Sequence, residues 1–159
     1  MQWNEFVANV RQWSTVRGIY EHSNATTQAL KACSEAGELC DAVIKGDRAA
    51  MMDAVGDVAV CLVNVAALHN FGGLHIEDGC DEVYSLHHGA AMIAGLCAGM
   101  SCALAMDEIA DVEIQEALWS LDDFCNFAGL DFLQCCESAW NEIKDRKGRM
   151  VAGGAFVKE

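Results

Sequence analysis

Two long helices are predicted by residues 26–69, TTQALKACSEAGELCDAVIKGDRAAMMDAVGDVAVCLVNVAALH. Asn24 or Thr26 can cap the first helix, and Gly46 is placed to end it. The second helix begins near Asp47. Its apolar residues recur at steps of three and four and comprise Met51, Val55, Val58, Leu62 and Val65. Such a stripe is typical of a buried helix face, so we expect the two helices to pack antiparallel as a hairpin.

The composition favours an all-α helical bundle for the rest of the chain. Apolar residues make up 53% of the 159 residues, no proline interrupts a helix, and β-branched residues do not cluster. The length fits one domain, residues 1–159. Further helices are predicted over 3–17, 76–86, 90–106, 112–127 and 131–147, with the Ala-rich 90–106 helix buried. The glycine-rich tail, 148–159, is predicted to be irregular.

Charge and cysteine content limit the classes of partner. The chain has 10 Lys and Arg against 24 Asp and Glu, and its net charge of −14 repels nucleic-acid phosphates. Nine cysteines lie among small apolar residues without a CxxC motif, which indicates reduced thiols in a cytoplasmic protein. The N-terminal residues lack the pattern of a signal peptide. The most apolar stretch, 90–106, contains Gly and Ser, and no membrane span is predicted.

A faint internal repeat relates residues 69–84 to residues 125–140. Both contain Asn-Phe-small-Gly-Leu, followed by an acidic and an aromatic residue at equal distance. One interpretation is an internally duplicated bundle whose second copy has lost its site, so that one chain is a pseudo-dimer. The alternative is two similar corners between helices. Without duplication we expect a homo-oligomer, most simply a dimer.

Acidic residues follow both helices of the predicted hairpin. Glu35 and Glu38 are three residues apart on the first helix, so both project from one face. Asp53 and Asp57 are four apart on the second, with Asn64 two turns beyond on the same stripe. Facing carboxylates repel one another unless a dication lies between them, and Mg²⁺ prefers oxygen ligands. The alternative is that these acids form solvated helix faces.

These acids belong to two motifs, Glu35-Ala36-Gly37-Glu38-Leu39 and Asp53-Ala54-Val55-Gly56-Asp57-Val58. The pair resembles the ExxE and ExxD signature of the MazG-like all-α nucleoside triphosphate pyrophosphohydrolases. Residues 13–31 resemble the segment that precedes the signature in phage and bacterial members, and 141–159 resemble their C-terminal segment. The resemblance covers 3–84 and 137–159, whereas about 85–130 is extra helical material.

The resemblance implies an enzyme that hydrolyses NTP or dNTP to NMP and pyrophosphate with Mg²⁺, or with Mn²⁺ in its place, in a bacterial or phage-encoded protein. The implied catalytic residues and metal ligands are Glu35, Glu38 and Asp57, with Asp53 as a further ligand. Gln28 and Lys31 are implied to contact the substrate. Arg146, Lys147, Arg149 and Lys158 form a basic cluster, which suits phosphate groups or complements the C-terminal end of a helix.

Position 54 departs from the family motif. Where ExxD has glutamate, this chain has Ala54, whose methyl group cannot bind a metal ion. Asp53 or Asp41 could take over the missing ligand. The alternative function is therefore a catalytically weakened module that binds nucleotide or protein. A third possibility, an acidic DNA mimic, is opposed by the basic cluster and by the order of the motifs.

Overall fold

Seven helices and one two-stranded hairpin form the described part of the chain, residues 1–76 and 82–159, in a computed structural model. In chain order the elements are α1 Trp3–Val16, α2 Ile19–His22, α3 Ala25–Lys45, α4 Arg48–Leu68, α5 Leu86–Ala105, α6 Asp111–Ala128, α7 Phe132–Ile143, β1 Gly148–Met150 and β2 Phe156–Lys158. The all-α prediction is confirmed, because strands in this part of the chain are limited to two segments of three residues.

The hairpin of α3 and α4 begins and turns where the sequence predicts. The Asn24 side chain caps α3 by accepting a hydrogen bond from the Thr27 amide at 2.8 Å, and Gly46 ends the helix with a φ of 66°. Asp47 then caps α4 by accepting from the Ala50 amide at 3.1 Å. Gly46, with its left-handed backbone conformation, is followed directly by Asp47, the N-cap of α4. The chain therefore reverses within two residues, and α3 packs along α4.

The α4 helix lies at the centre of the fold. It packs against α1, α3, α6 and α7, and its predicted apolar stripe is buried. Gly56 marks its closest approach to α7. A Cβ atom at this position would lie 2.5 Å from the Cys135 carbonyl oxygen and 2.7 Å from the Ala139 Cβ. Only glycine fits without displacing α7.

The α5 and α6 helices form a second hairpin beside the first, within the range of the predicted extra material. α5 packs on α3 and α6, and α6 also contacts α4. The predicted burial of the Ala-rich helix is only partly correct, because one face of α5 is exposed along Ala91, Gly95, Ala98, Gly99 and Cys102. By length and composition alone, α4 and α5 could each cross a membrane. For α5 this differs from the expectation that 90–106 cannot span a membrane. In this fold α4 is a buried core helix.

Other segments differ from the sequence-based expectations. The helix predicted over 76–86 is wrong for its described part, since Ile76 and residues 82–84 are not helical; residues 77–81 lie outside the described part. The tail is not irregular, because β1 and β2 pair antiparallel with Arg149 opposite Val157. The last helix ends at Ile143 rather than at 147, and the short helix α2 was not predicted.

The ends of α4 and α6 bear on the predicted repeat. The last turn of α4 is closed by a hydrogen bond from the Phe71 amide to the Ala66 carbonyl, and that of α6 by one from Leu130 to Cys125, each at 2.8 Å. Phe71 thus corresponds in structure to Leu130, whereas the repeat aligns it with Phe127. Among the described residues, the aligned positions therefore lie at different places relative to the two helix ends, so similar helix ends do not account for the shared pattern, and the duplication stays a prediction.

Candidate functional site

A cavity of about 520 Å³ lies between α1, α3, α4, α7 and the C-terminal hairpin. Most residues predicted for the site line it, namely Gln28, Lys31, Glu35, Glu38, Asp53, Asp57 and Arg146. The antiparallel packing of α3 and α4 brings the middle of each helix to the same wall. Lys147 and Arg149 are exposed and do not line the cavity, so their predicted contact with substrate phosphates is not supported by their positions.

The α4 side of the cavity holds carboxylates with raised pKa values. Burial, reinforced by the negative charges of Glu35, Asp53 and Glu142, raises the pKa of Asp57 to about 7, although Arg146 opposes this. Burial and the nearby Glu142 also raise the pKa of Asp53. Within residues 1–76 and 82–159, no hydrogen bond or ion pair to Asp57 is found. A cation at this position would therefore relieve an unfavourable charge.

The α3 side holds an ion pair between Lys31 and Glu35, one helical turn apart. Glu35 is buried, with 6% of its surface exposed, whereas Lys31 extends toward solvent. Burial lowers the pKa of the Lys31 ammonium, but the hydrogen bond and charge of Glu35 more than offset this, so the pKa is raised. Lys31 is thus a permanent positive charge at the cavity.

The structure distinguishes the two candidates for the ligand missing at position 54. Ala54 is a core residue, 4% exposed, and does not line the cavity, whereas the neighbouring Asp53 does. Asp41 lies outside the cavity and pairs with Lys45 at 2.7 Å on the surface. The α4 carboxylate that accompanies Asp57 at the cavity is therefore Asp53, and the position of Asp41 does not support its suggested role.

The C-terminal segment adds a carboxylate that the sequence analysis missed. Glu142 on α7 lines the cavity and pairs with Arg146 at 3.0 Å, one turn later. The Arg17 guanidinium donates two hydrogen bonds to the Arg146 carbonyl oxygen, at 2.8 and 3.1 Å. These bonds fix the end of α7 to α1. The four-residue spacing of Glu142 and Arg146 was a sequence signal for this pair.

The opposite end of the cavity is aromatic and apolar. Trp13, Ile19, Val60 and Phe156 line it, and the Trp13 and Phe156 rings meet edge to face with centroids 5.4 Å apart. Phe156 was missed because the tail was expected to be irregular. The Asn64 side-chain amide also lines the cavity, as the predicted α4 stripe suggested.

The donor atoms suit a hard cation better than a transition metal, since they are carboxylate oxygens. In the described residues, however, no three His, Cys, Asp or Glu side chains already form a metal-binding group. Burial, reinforced by the charge of Glu35, raises the pKa of the nearby Cys61 thiol, which favours its neutral form. The eight described cysteines are free, and Cys80 lies outside the described residues.

Comparison with known proteins finds one partial relative. A 62-residue segment is 34% identical to an uncharacterized 18.2 kDa protein in the rep-hol intergenic region of Haemophilus phage HP1 (strain HP1c1). The match covers 39% of this chain and 38% of the phage protein, so the chain spans well under half the length of that relative. No protein-family model and no solved structure matches the chain.

Proposed function

We propose that the protein is a nucleoside triphosphate pyrophosphohydrolase, which hydrolyses NTP or dNTP to NMP and pyrophosphate. The observation that carries this proposal is a single cavity with carboxylates and two cationic side chains at one end and aromatic rings at the other. The charged end suits a metal-bound triphosphate, and the aromatic end suits the flat, largely apolar face of a base. The resemblance of the two acidic motifs to the MazG-like signature supports the same ligand.

The carboxylates fit a resident divalent cation, Mg²⁺ or alternatively Mn²⁺. Asp57 is the strongest argument, because a half-buried carboxylate that has no hydrogen bond or ion pair within residues 1–76 and 82–159 is stabilised by a positive charge. Glu35, Glu38, Asp53 and Asp57 would hold the ion. When bound, it neutralises phosphate charge and polarises a phosphoryl oxygen. Because these side chains do not yet form a metal-binding group, substrate phosphates would supply much of the coordination.

The protein's own residues would bind and orient the substrate. Lys31 supplies a point charge to the phosphates, and Arg146, positioned by Arg17, supplies a planar fork that matches phosphate oxygens. A carboxylate of the same wall orients the attacking water. The oxygen of this water forms a bond to the α-phosphorus. The bond between the α-phosphorus and the bridging α,β-oxygen breaks, and pyrophosphate leaves.

A panel of NTPs and dNTPs with Mg²⁺ tests the proposal, with release of pyrophosphate and NMP as the measurement. Asp57→Asn and Glu38→Gln are expected to lower the rate by about 100-fold or more, the scale of a lost catalytic carboxylate. Asp41→Asn is the matched control, because this acid lies outside the cavity. Equal rates for Asp41→Asn and Asp57→Asn would show that the cavity is not the active site.

A second candidate function, a module that binds nucleotide with little turnover, is favoured by the Lys31–Glu35 pair. This pair occupies a carboxylate that would otherwise bind the cation. The same assay separates the two candidates. Nucleotide binding without pyrophosphate release, at any base or sugar, would establish the module and reject the enzyme.

A further inference from the structure

Each cationic side chain that lines the cavity in the described part of the chain is paired with a carboxylate of the same cavity. The Lys31 ammonium forms an ion pair with Glu35 on α3, and the Arg146 guanidinium pairs with Glu142, near the end of α7, at 3.0 Å. Both pairs join residues four apart in the chain, and all four side chains line the cavity. The groups suited to phosphate are therefore already bound to groups suited to a cation.

The Lys31–Glu35 pair can exchange partners easily. The Glu35 side chain is 8% exposed, whereas 52% of the Lys31 side chain is exposed and carries the charge on a flexible four-carbon stem. Although burial lowers the pKa of Lys31, the hydrogen bond and charge of Glu35, together with the charge of Asp57, raise it. The ammonium is thus a counter-ion for carboxylates on both α3 and α4.

The Arg146 guanidinium has a similar relation to α4. Burial raises the pKa values of Asp53 and Asp57, and the charge of Arg146 opposes both shifts. Arg146 therefore balances the acids of α4 as well as its own partner, Glu142. The two cavity cations together partly neutralise acids on three helices.

We propose that Lys31 and Arg146 are internal counter-ions that occupy Glu35 and Glu142 until a phosphate chain binds. A phosphate chain carries several negative charges and attracts both cationic side chains more strongly than one carboxylate does. Once Lys31 contacts phosphate, Glu35 becomes available to a divalent cation, which also offsets the repulsion between the phosphates and the acids. Cation and phosphate chain therefore bind cooperatively, and each raises the affinity for the other by the same factor.

This inference rests on the proposed function, and binding of Mn²⁺ alone tests it without any turnover. The electron paramagnetic resonance signal of free Mn²⁺ measures the affinity of the protein for this ion. Lys31→Met keeps a long unbranched side chain and removes the charge, so it should raise the affinity for Mn²⁺ by about tenfold, a usual size for coupling between two sites. Lys45→Met is the matched control and should leave the affinity unchanged, because Lys45 forms the same kind of pair with Asp41 on α3 outside the cavity.

Two further measurements separate partner exchange from a general charge effect and from a structural role. In the Glu35→Gln background, Lys31→Met should give little gain in Mn²⁺ affinity, because the gain comes from freeing this carboxylate. The preformed complex of Mn²⁺ with inorganic tripolyphosphate should bind about tenfold more weakly to Lys31→Met by calorimetry, since the phosphates lose a charged hydrogen-bond donor. A purely structural role of Lys31 would weaken the binding of both ligands. Lys31→Gln replaces Lys31→Met if thermal unfolding shows that the latter does not fold.

The outcomes distinguish the counter-ion role from the proposed function. Equal Mn²⁺ affinities of the unaltered protein and Lys31→Met, an equal gain in Lys45→Met, or a gain that persists in full in the Glu35→Gln background would overturn the counter-ion role. Binding of the Mn²⁺–tripolyphosphate complex would still support the proposed function in each of these cases. If the complex binds neither the unaltered protein nor any variant, the proposed function fails and the counter-ion role fails with it.

Discussion

Replacing Asp57 by Asn should stabilise the protein at neutral and alkaline pH in the absence of divalent cations. The Asp57 carboxylate is half-buried near Glu35, Asp53 and Glu142, and its folded-state pKa is about 7 against an ordinary value of 3.8. A raised carboxylate pKa means that the folded protein binds the proton more tightly than the unfolded chain does. Stability from this group is therefore complete below pH 3.8 and is lost as the pH rises through 7. Asparagine has the same shape and never ionises.

The size of the effect follows from the two pKa values. Their difference corresponds to about 4 kcal/mol of lost stability when the carboxylate is fully ionised. Because the sequence pI is about 4.5, the pH range that is practical for unfolding measurements begins above that value. Between about pH 5.5 and about pH 8.5, the unfolding free energy of the unaltered protein should fall by about 2 kcal/mol relative to Asp57→Asn, with most of the loss below pH 7 and a plateau above it.

Urea unfolding at several pH values in EDTA measures this difference, and Asp41→Asn is the control because Asp41 pairs with Lys45 on the surface. The curves for the unaltered protein and Asp57→Asn should diverge as the pH rises, whereas Asp41→Asn should show no such divergence. Parallel curves for the unaltered protein and Asp57→Asn across the range would refute the reasoning. Adding Mg²⁺ at alkaline pH should stabilise the unaltered protein more than Asp57→Asn.

Three further predictions can be tested with the same urea titration and pyrophosphate assay. Gly56→Ala should lower the unfolding free energy by about 1–3 kcal/mol because its Cβ meets the α7 backbone, whereas Gly37→Ala, with open space around it, should raise stability by about 0.5–1 kcal/mol in the same urea titration. In the pyrophosphate assay, Asp53→Asn should lower the rate at least tenfold. Ala54→Glu should destabilise the core without raising the rate, because position 54 is buried away from the cavity. A large rate gain in Ala54→Glu would show that Ala54 marks a lost ligand. Chelation of divalent cations by EDTA should abolish pyrophosphate release, and activity that persists would exclude the cation.

Local sequence signals predicted the α3–α4 hairpin well. Asn24, Gly46 and Asp47 are capping and turn residues whose effect depends on neighbours within one helical turn, so no tertiary information was needed. The same periodicity placed Asp53 and Asp57 on one face. The segment 76–86 shows the limit of such reasoning, because this short polar stretch between α4 and α5 has neither a clear helical nor a clear strand periodicity.

The residues that were missed depend on contacts between distant segments. Glu142 and Phe156 enter the cavity because α7 and the C-terminal hairpin pack against α4 and α1, and these contacts leave no periodic pattern. Ala54 illustrates the reverse error. Its position in a motif suggested a ligand site, but the rotation of α4 that buries the apolar stripe also turns Ala54 into the core and leaves Asp53 at the cavity.

The location of Asp53, Asp57 and Asn64 on the central helix has a consequence for the protein's motions. Most of α4 is buried among four other helices, so its amides can reach solvent only when those contacts separate together. Hydrogen exchange along α4 should therefore follow global unfolding rather than local opening. A ligand in the cavity should then slow exchange over the whole helix, including residues remote from the ligand, and should raise the melting temperature of the entire domain.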